Sequence, residues 1–372
     1  MNEDKATRYH RLKRRVSLLS LAWSTLLLVG LLLTGASAAL REAARAIAPP
    51  GALAPGIEIA AYVVALFLFN EAGTLPLAFY GGHVLEHRYG LSRESLRRWT
   101  ADQAKAGAIG LVLAVGAAEV VYGALHLWPD RWWIAAGLAF AAVIVVLANL
   151  APVLLLPLFY RFRPLEREAL RQRLLALAGR AGTRVVGVYE WSLGERTRRA
   201  NAALTGLGRT RRILVSDTLL AEYSDDEIEV ILAHELAHHV HADIWKGIAF
   251  ESVLILAGFD LAHVALRALA PALGLQGPAD IAGLPLLLLA AGGLGLLLVP
   301  AANALSRRHE RQADRYALEL TGNRAAFVSA MRRLATQNLA EDAPSGLVRA
   351  LFYTHPPIRE RIAMAEGGKG SM

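Results

Sequence analysis

Six stretches of the chain are apolar for long enough to cross a bilayer, which takes about 20 residues. They run from Val16 to Leu40, Gly56 to Tyr80, Ala108 to Leu127, Trp132 to Phe159, Ile244 to Leu269 and Ile281 to Leu305. Pro152 and Pro157 fall inside the fourth, and other boundaries there would make the count seven. The first stretch follows a basic N-terminus, but it is too long for the apolar core of a signal peptide and more spans come after it. Between the fourth and fifth lies a polar region, about Arg161 to Asp243. In it, Arg161 to Arg180 predicts a basic amphipathic helix closed by Ala181-Gly182. Val185–Trp191, Arg199–Thr205 and Arg212–Ser216 predict short strands, with Gly206 and Gly208 in the last turn. A second polar region, from Ser306 to the end, predicts helices that pack against the first. The expected organisation is therefore 1–160 with four spans, 161–243 polar, 244–305 with two spans, and 306–372 polar, with no internal repeat and no long linker.

Composition agrees with a membrane protein. Of 372 residues 55% are hydrophobic and only 19% charged, too apolar for an ordinary soluble chain. The absence of cysteine excludes disulfides, cysteine–zinc sites and thiol catalysis. The net charge of +8 invites a nucleic-acid reading, but the basic residues lie beside the apolar spans, as topology signals do. Lys5, Arg8, Arg11, Lys13, Arg14 and Arg15 precede span one; Arg88, Arg93, Arg97, Arg98 and Lys105 follow span two. Loops after spans one, three and five carry few. The N-terminus, the second loop and both polar regions are thus expected in the cytoplasm.

The chemistry is concentrated in Ile231-Leu232-Ala233-His234-Glu235-Leu236-Ala237-His238. Residues four apart on a helix share a face, so His234 and His238 can present two imidazoles to one metal ion, and Glu235 can reach a water bound to it. Ser224-Asp225-Asp226-Glu227 is a capping-box pattern that starts this helix. A zinc site needs a third protein ligand and an open fourth position. The residue six after His238 is Ile244, which rules out a third histidine at metzincin spacing. Glu310 and Asp314, one turn apart after the last span, are the better candidates. Glu310 would ligate zinc, and Asp314 would accept a hydrogen bond from the far nitrogen of His234 or His238. The same acids could instead pair with Arg307, Arg311 and Arg315 on a solvated face.

With H-E-x-x-H, the E-x-x-x-D of Glu310 and Asp314, Asn201-Ala202 and Thr205-Gly206, the chain resembles the M48 metallopeptidases, and within them the CAAX prenyl protease 1 type. Arg212-Ile213-Leu214-Val215-Ser216-Asp217-Thr218-Leu219-Leu220, Thr354-His355-Pro356-Pro357, Tyr89-Gly90-Leu91-Ser92 and Trp99-Thr100-Ala101-Asp102-Gln103 extend the resemblance over nearly the whole length. It implies a predominantly α-helical multi-pass membrane protein, with a zincin-like catalytic domain containing a small β-sheet at the cytoplasmic face. By residue it implies His234, His238 and Glu310 as zinc ligands and Glu235 as catalytic base. Asn201 and Ala202 would lie on an edge strand that binds substrate backbone, and His355 and Arg361 would steady the oxyanion and substrate carbonyl. The family also encloses a chamber between its spans, and Asn70, Glu71, Glu119, Glu251 and Asp260 are polar residues within spans that suit one.

The expected function is zinc-dependent endopeptidase action, with one Zn2+ per chain, on membrane-associated or C-terminally prenylated polypeptides. The expected partners are a peptide or protein substrate and the bilayer, with no nucleic acid, and the chain is expected to be a monomer. An alanine-, leucine- and arginine-rich, lysine-poor composition suits a bacterial inner membrane. The alternatives are an HtpX-like quality-control protease, or a transporter or receptor with a structural metal. Glu235 argues against the last, since a structural zinc needs no base.

Overall fold

The computed structural model describes residues 4–150, 154–206 and 210–367. The expected break at Pro152, the turn glycine Gly208 and the last five residues lie outside them. The membrane part begins with α1 (Lys5–Leu33), α2 (Ala36–Ile47) and α3 (Ala54–Phe79). α3 continues through a π-helical turn, Tyr80–Val84, into α4 (Leu85–Arg88). Then come α5 (Leu96–Leu127), α6 (Trp132–Leu150) and α7 (Leu156–Phe159). The first span ends sooner than the apolar pattern suggests. α1 stops at Leu33 and Gly35 takes φ +73°, so Leu40 belongs to a separate helix. A glycine in the left-handed region ends a helix regardless of the hydropathy that follows it.

Five helices among the described residues are long and apolar enough to span: α1, α3 with its extension, α5, and the two introduced below as α11 and α12. The fourth predicted span is the shorter apolar helix α6, with 19 residues. At 1.5 Å per residue it rises about 28 Å, close to the hydrocarbon thickness. The spans pack around Tyr62, Leu66, Tyr122, Leu125, Trp132, Phe259 and Leu266. Large apolar side chains such as Leu26, Val112 and Val253 face outward, where lipid would cover them.

The polar regions form one body. β1 (Phe162–Pro164), α8 (Glu168–Arg180), β2 (Val188–Trp191), β3 (Ala202–Thr205) and β4 (Arg212–Ser216) precede α9 (Asp217–Glu222) and α10 (Asp225–Val240). The helix expected from Arg161 begins only at Glu168, because Pro164 disfavours helical geometry in the residue before it and the chain runs extended as β1 instead. The sheet order is β1-β2-β4-β3: β2 and β4 are parallel, the outer pairs antiparallel, and β3 is an edge. α11 (Asp243–Leu269) and α12 (Leu284–Thr321) follow, then α13 (Arg324–Gln337), α14 (Gly346–Phe352) and α15 (Ile358–Ala365).

The core of this body joins Leu170, Leu174 and Leu177 of α8 to Ile213 and Val215 of β4, and both to Ile228, Leu232 and Leu236 of α10. Phe327 and Met331 of α13 close it. α10 is therefore wrapped on several sides, which explains why its apolar residues exceed one stripe. Its start is the capping box: Ser224 Oγ accepts from Glu227 N at 3.3 Å, and Ser224 N donates to Glu227 Oε2 at 2.8 Å. Ser224→Ala should cost about 1 kcal/mol, seen as a drop of roughly 2 °C in the thermal midpoint. An unchanged midpoint would mean the cap adds nothing to a helix so deeply packed.

Candidate active site

α10 supplies His234, Glu235 and His238, and α12 crosses it carrying Glu310 and Asp314. The two imidazoles stand nearly perpendicular, 5.0 Å between ring centres. Their Nε2 atoms converge on Glu310: His234 Nε2 lies 3.2 Å from Oε2, and His238 Nε2 lies 3.5 Å from Oε1. One ligand atom from each of the three residues falls within 4.8 Å of the others. Glu310 Oε2 is buried and makes no hydrogen bond, although His234 Nε2 is so near. Nitrogen and carboxylate donors gathered this closely without hydrogen-bonding one another fit a shared cation, and two imidazoles with one carboxylate suit zinc.

The opposite ring nitrogens are held by carboxylates. His234 Nδ1 is 2.8 Å from Asp314 Oδ1, the role expected for Asp314. His238 Nδ1 is 3.1 Å from Asp243 Oδ2. The sequence reading missed Asp243. Ala242, at φ +57°, turns the chain sharply between α10 and α11 and swings the first residue of α11 back over His238. The signal was available: two candidate ligand histidines call for two acceptors on their far nitrogens, and Asp243 follows His238 by five residues. Asp243→Asn should weaken metal binding or activity about 10- to 100-fold. Metal titration of the stripped protein measures this, and an unchanged affinity would remove Asp243 from the site.

Arg361 on α15 is buried, with Nε 2.8 Å and Nη2 2.5 Å from the two oxygens of Asp314. This fork fixes the carboxylate that in turn fixes His234. The guanidinium expected at the substrate carbonyl is thus engaged in orienting Asp314, while it still lines the cleft. His355 stands at the rim with its side chain 60% exposed and Nε2 3.3 Å from Glu310 Oε1. Glu235 also lines the cleft, a space of about 370 Å³ that takes in Asn201, Ala202, His234 and His355. A larger hollow of 1070 Å³, beside Tyr89 and α13, contains none of these residues.

Along β3 the backbone alternates. Ser216 N donates to Asn201 O at 2.9 Å, so Asn201 faces β4, and in the antiparallel ladder the amide and carbonyl of Ala202 face outward to the cleft. Two residues on, Leu204 O is already taken by His239 Nε2 at 3.0 Å. His239 and His309 stay off the ligand set; His309 Nε2 lies 3.8 Å from Asp243 instead. In the membrane part, a cavity of about 670 Å³ between the spans is lined by Asn70 and Glu251 together with Ser24 and apolar side chains. Glu71, Glu119 and Asp260 do not line it.

Burial raises the pKa of Glu235 above the ordinary carboxylate range, and the charges of His234 and His238 partly offset this. For His234 burial opposes the proton, but the neighbouring carboxylates of Asp314 and Glu310 outweigh it and push the pKa up to about 9. Below that pH a metal must displace a proton from His234. Apparent metal affinity should therefore climb about tenfold per pH unit up to about pH 9, with a proton released on binding at pH 7. Calorimetry in two buffers of different ionisation enthalpy would detect that proton, and buffer-independent heats would refute it.

Residues 164–368 match the model of peptidase family M48, and residues 2–161 match that of the CAAX prenyl protease N-terminal region, five membrane helices. The chain belongs to peptidase family M48. Among its M48 relatives, an uncharacterized metalloprotease of Bacillus subtilis, YhfN, is 34% identical over 83% of this chain and 74% of its own. CAAX prenyl protease 1 of Saccharomyces cerevisiae is 29% identical over 77% of this chain and 67% of its own. The crystal structure of S. mikatae Ste24p shares the fold, with a TM-score of 0.86 over 97% of this chain and 88% of that one, at 23% identity. This M48 protein is a multi-pass membrane metalloprotease that depends on a metal; neither alternative, the HtpX-like protease or the non-enzymatic transporter or receptor, is favoured.

Proposed function

We propose that the metal is one zinc ion per chain, held by His234, His238 and Glu310, and that the enzyme cuts extended segments of membrane-associated polypeptides, including lipid-modified C-terminal tails. The observation that carries this reading is the convergence of two Nε2 atoms on Glu310, with each Nδ1 committed to a carboxylate. Bound zinc would acidify a water and polarise the scissile carbonyl. Glu235 accepts the proton of the attacking water and returns it to the leaving amine; its raised pKa suits both halves of that task. Ala202 pairs with substrate backbone as an added strand, which presents the peptide extended across α10. His355 reaches over Glu310 from the rim and donates to the oxyanion. Arg361 acts through Asp314, locking the tautomer and angle of His234.

The basic N-terminus and second loop support a cleft on the cytoplasmic side. We place the protein in a bacterial inner membrane, as a monomer, with residues 1–160 and 244–305 forming the spans and 161–243 and 306–372 the catalytic body. The lipid-modified tail comes from the relative named CAAX prenyl protease 1. Mass spectrometry of products from detergent-purified, zinc-loaded protein tests it, with one tail peptide offered prenylated and unmodified. Faster cutting of the prenylated form supports a lipid-selecting enzyme. Equal cutting overturns the lipid preference and keeps the endopeptidase, and no cutting of either overturns the substrate class.

A further inference from the structure

α14 leaves Leu347, Leu351 and Phe352 on the surface, 71%, 36% and 38% exposed. Leu347 and Leu351 are one turn apart and so share a face. Three large apolar side chains open to water on a seven-residue helix are out of place on a soluble body. None of them lines the catalytic cleft or the cavity between the spans.

The height of α14 is set by α12. Asn303 Nδ2 donates to Ala350 O at 2.9 Å, and Arg307 Nη1 donates to the carbonyls of Arg349 at 3.0 Å and Tyr353 at 2.7 Å. Both α12 side chains are buried under α14 and bond carbonyls of its last turn and cap, of which Arg349 O also accepts from Tyr353 N. Along α12 they stand where its apolar run gives way to Arg307, Arg308 and His309. Leu297, 79% exposed on the span surface, is six residues from Asn303 and ten from Arg307, about 9 and 15 Å along the axis.

A second marker agrees. Asp243 meets His309, Gly258 meets Ala291, and Gly283 meets Leu266, so α11 runs antiparallel to α12. Trp245, half-exposed two residues into α11, is therefore level with Arg307, and tryptophan at that level marks the membrane–water interface. α14 thus lies at the depth where the apolar run of α12 ends, with its own apolar face exposed at that level. Arg349, on the same helix and half-exposed, makes only a loose ion pair with Glu360 at 3.9 Å, so its guanidinium can also meet headgroup phosphates.

We propose that α14 is an interfacial helix whose Leu347, Leu351 and Phe352 enter the bilayer surface. His355 follows Phe352 by three residues, so the depth of α14 sets the height of the cleft rim above the lipid.

The cysteine-free chain allows a direct test. Single spin labels at Leu347→Cys and Leu351→Cys, in liposomes containing anionic lipid, are compared with Leu297→Cys on a span and Asp342→Cys in an exposed loop. Labels at 347 and 351 should favour oxygen over a water-soluble nickel chelate several-fold more than the label at 342. Nickel access equal to that at 342 would place α14 in water. Protection from both reagents would mean that protein, such as a second copy, covers it; either result overturns the lipid contact. The double variant Leu347→Ser, Leu351→Ser should raise KM several-fold for a bilayer-anchored substrate and leave cleavage of a soluble peptide unchanged. An equal effect on both substrates would overturn the link between α14 and cleft height.

Discussion

Glu235→Gln should reduce peptide hydrolysis by at least about 10²-fold, and by as much as about 10⁴-fold, the range a positioned general base contributes. It should leave the metal content of the protein intact. The two expectations separate because Glu235 lines the cleft but is absent from the group of residues gathered to hold an ion. Glutamine keeps the shape and the hydrogen-bonding reach of the side chain while removing its ability to accept a proton. Purified wild type and variant should therefore show equal metal by elemental analysis and differ only in product formation. A variant that keeps more than about a tenth of the wild-type rate would force the base to be sought elsewhere in the cleft, with His355 the first residue to examine.

Glu310→Ala should remove the metal itself. Among the described residues Glu310 is the only carboxylate that meets both Nε2 atoms, so its loss would strip the proposed site of a ligand and of the negative charge that offsets the ion. The expected loss in affinity is more than about 100-fold, beyond what removal of an outer-shell partner causes. Activity should fall to background at ordinary zinc concentrations and return in part with excess metal. Glu310→Gln serves as a second variant, since it refills the volume. A protein that still binds one metal after either change would mean that Asp314 or His355 is the true third ligand. The pairing with Glu235→Gln is informative: one variant should be full of metal and inactive, the other empty and inactive.

The parts of this site that lie close together in sequence were legible in it, and those that depend on the path of the chain were not. Helical spacing alone put His234, Glu235 and His238 on one helix, and the capping residues located its start. The Glu310–Asp314 pair could be proposed from spacing, but the choice between ligation and ion pairing with Arg307, Arg311 or Arg315 needed the crossing of α12 over α10. The structure shows Arg307 and Arg311 employed elsewhere, on the carbonyls beside α14 and on Glu360. The resemblance implies a role for Arg361 at the substrate, and the structure adds its fork on Asp314 and a contact with His234; a buried fork between one base and one acid 47 residues apart leaves no periodic trace. Hydropathy found the spans but set the first one too long, because it weighs Thr34-Gly35 as neutral residues and is blind to the left-handed turn they make. It also cut α12 at Leu305, where polarity changes but nothing in the backbone does.

That last error has a mechanical meaning. α12 runs unbroken from Leu284 to Thr321, about 57 Å. Its first half is gripped by lipid and its second half carries Glu310. The centre that cuts the peptide is therefore mounted on the end of a lever whose fulcrum is the bilayer. No loop lies between the span and the carboxylate, and Pro300, which removes one backbone hydrogen bond, is the point within the helix where a tilt is most easily taken up; any tilt of α12 not spent at that kink would carry Glu310 across His234 and His238 with it. In such an arrangement the thickness of the membrane is a setting of the enzyme, in the same sense as pH or metal supply.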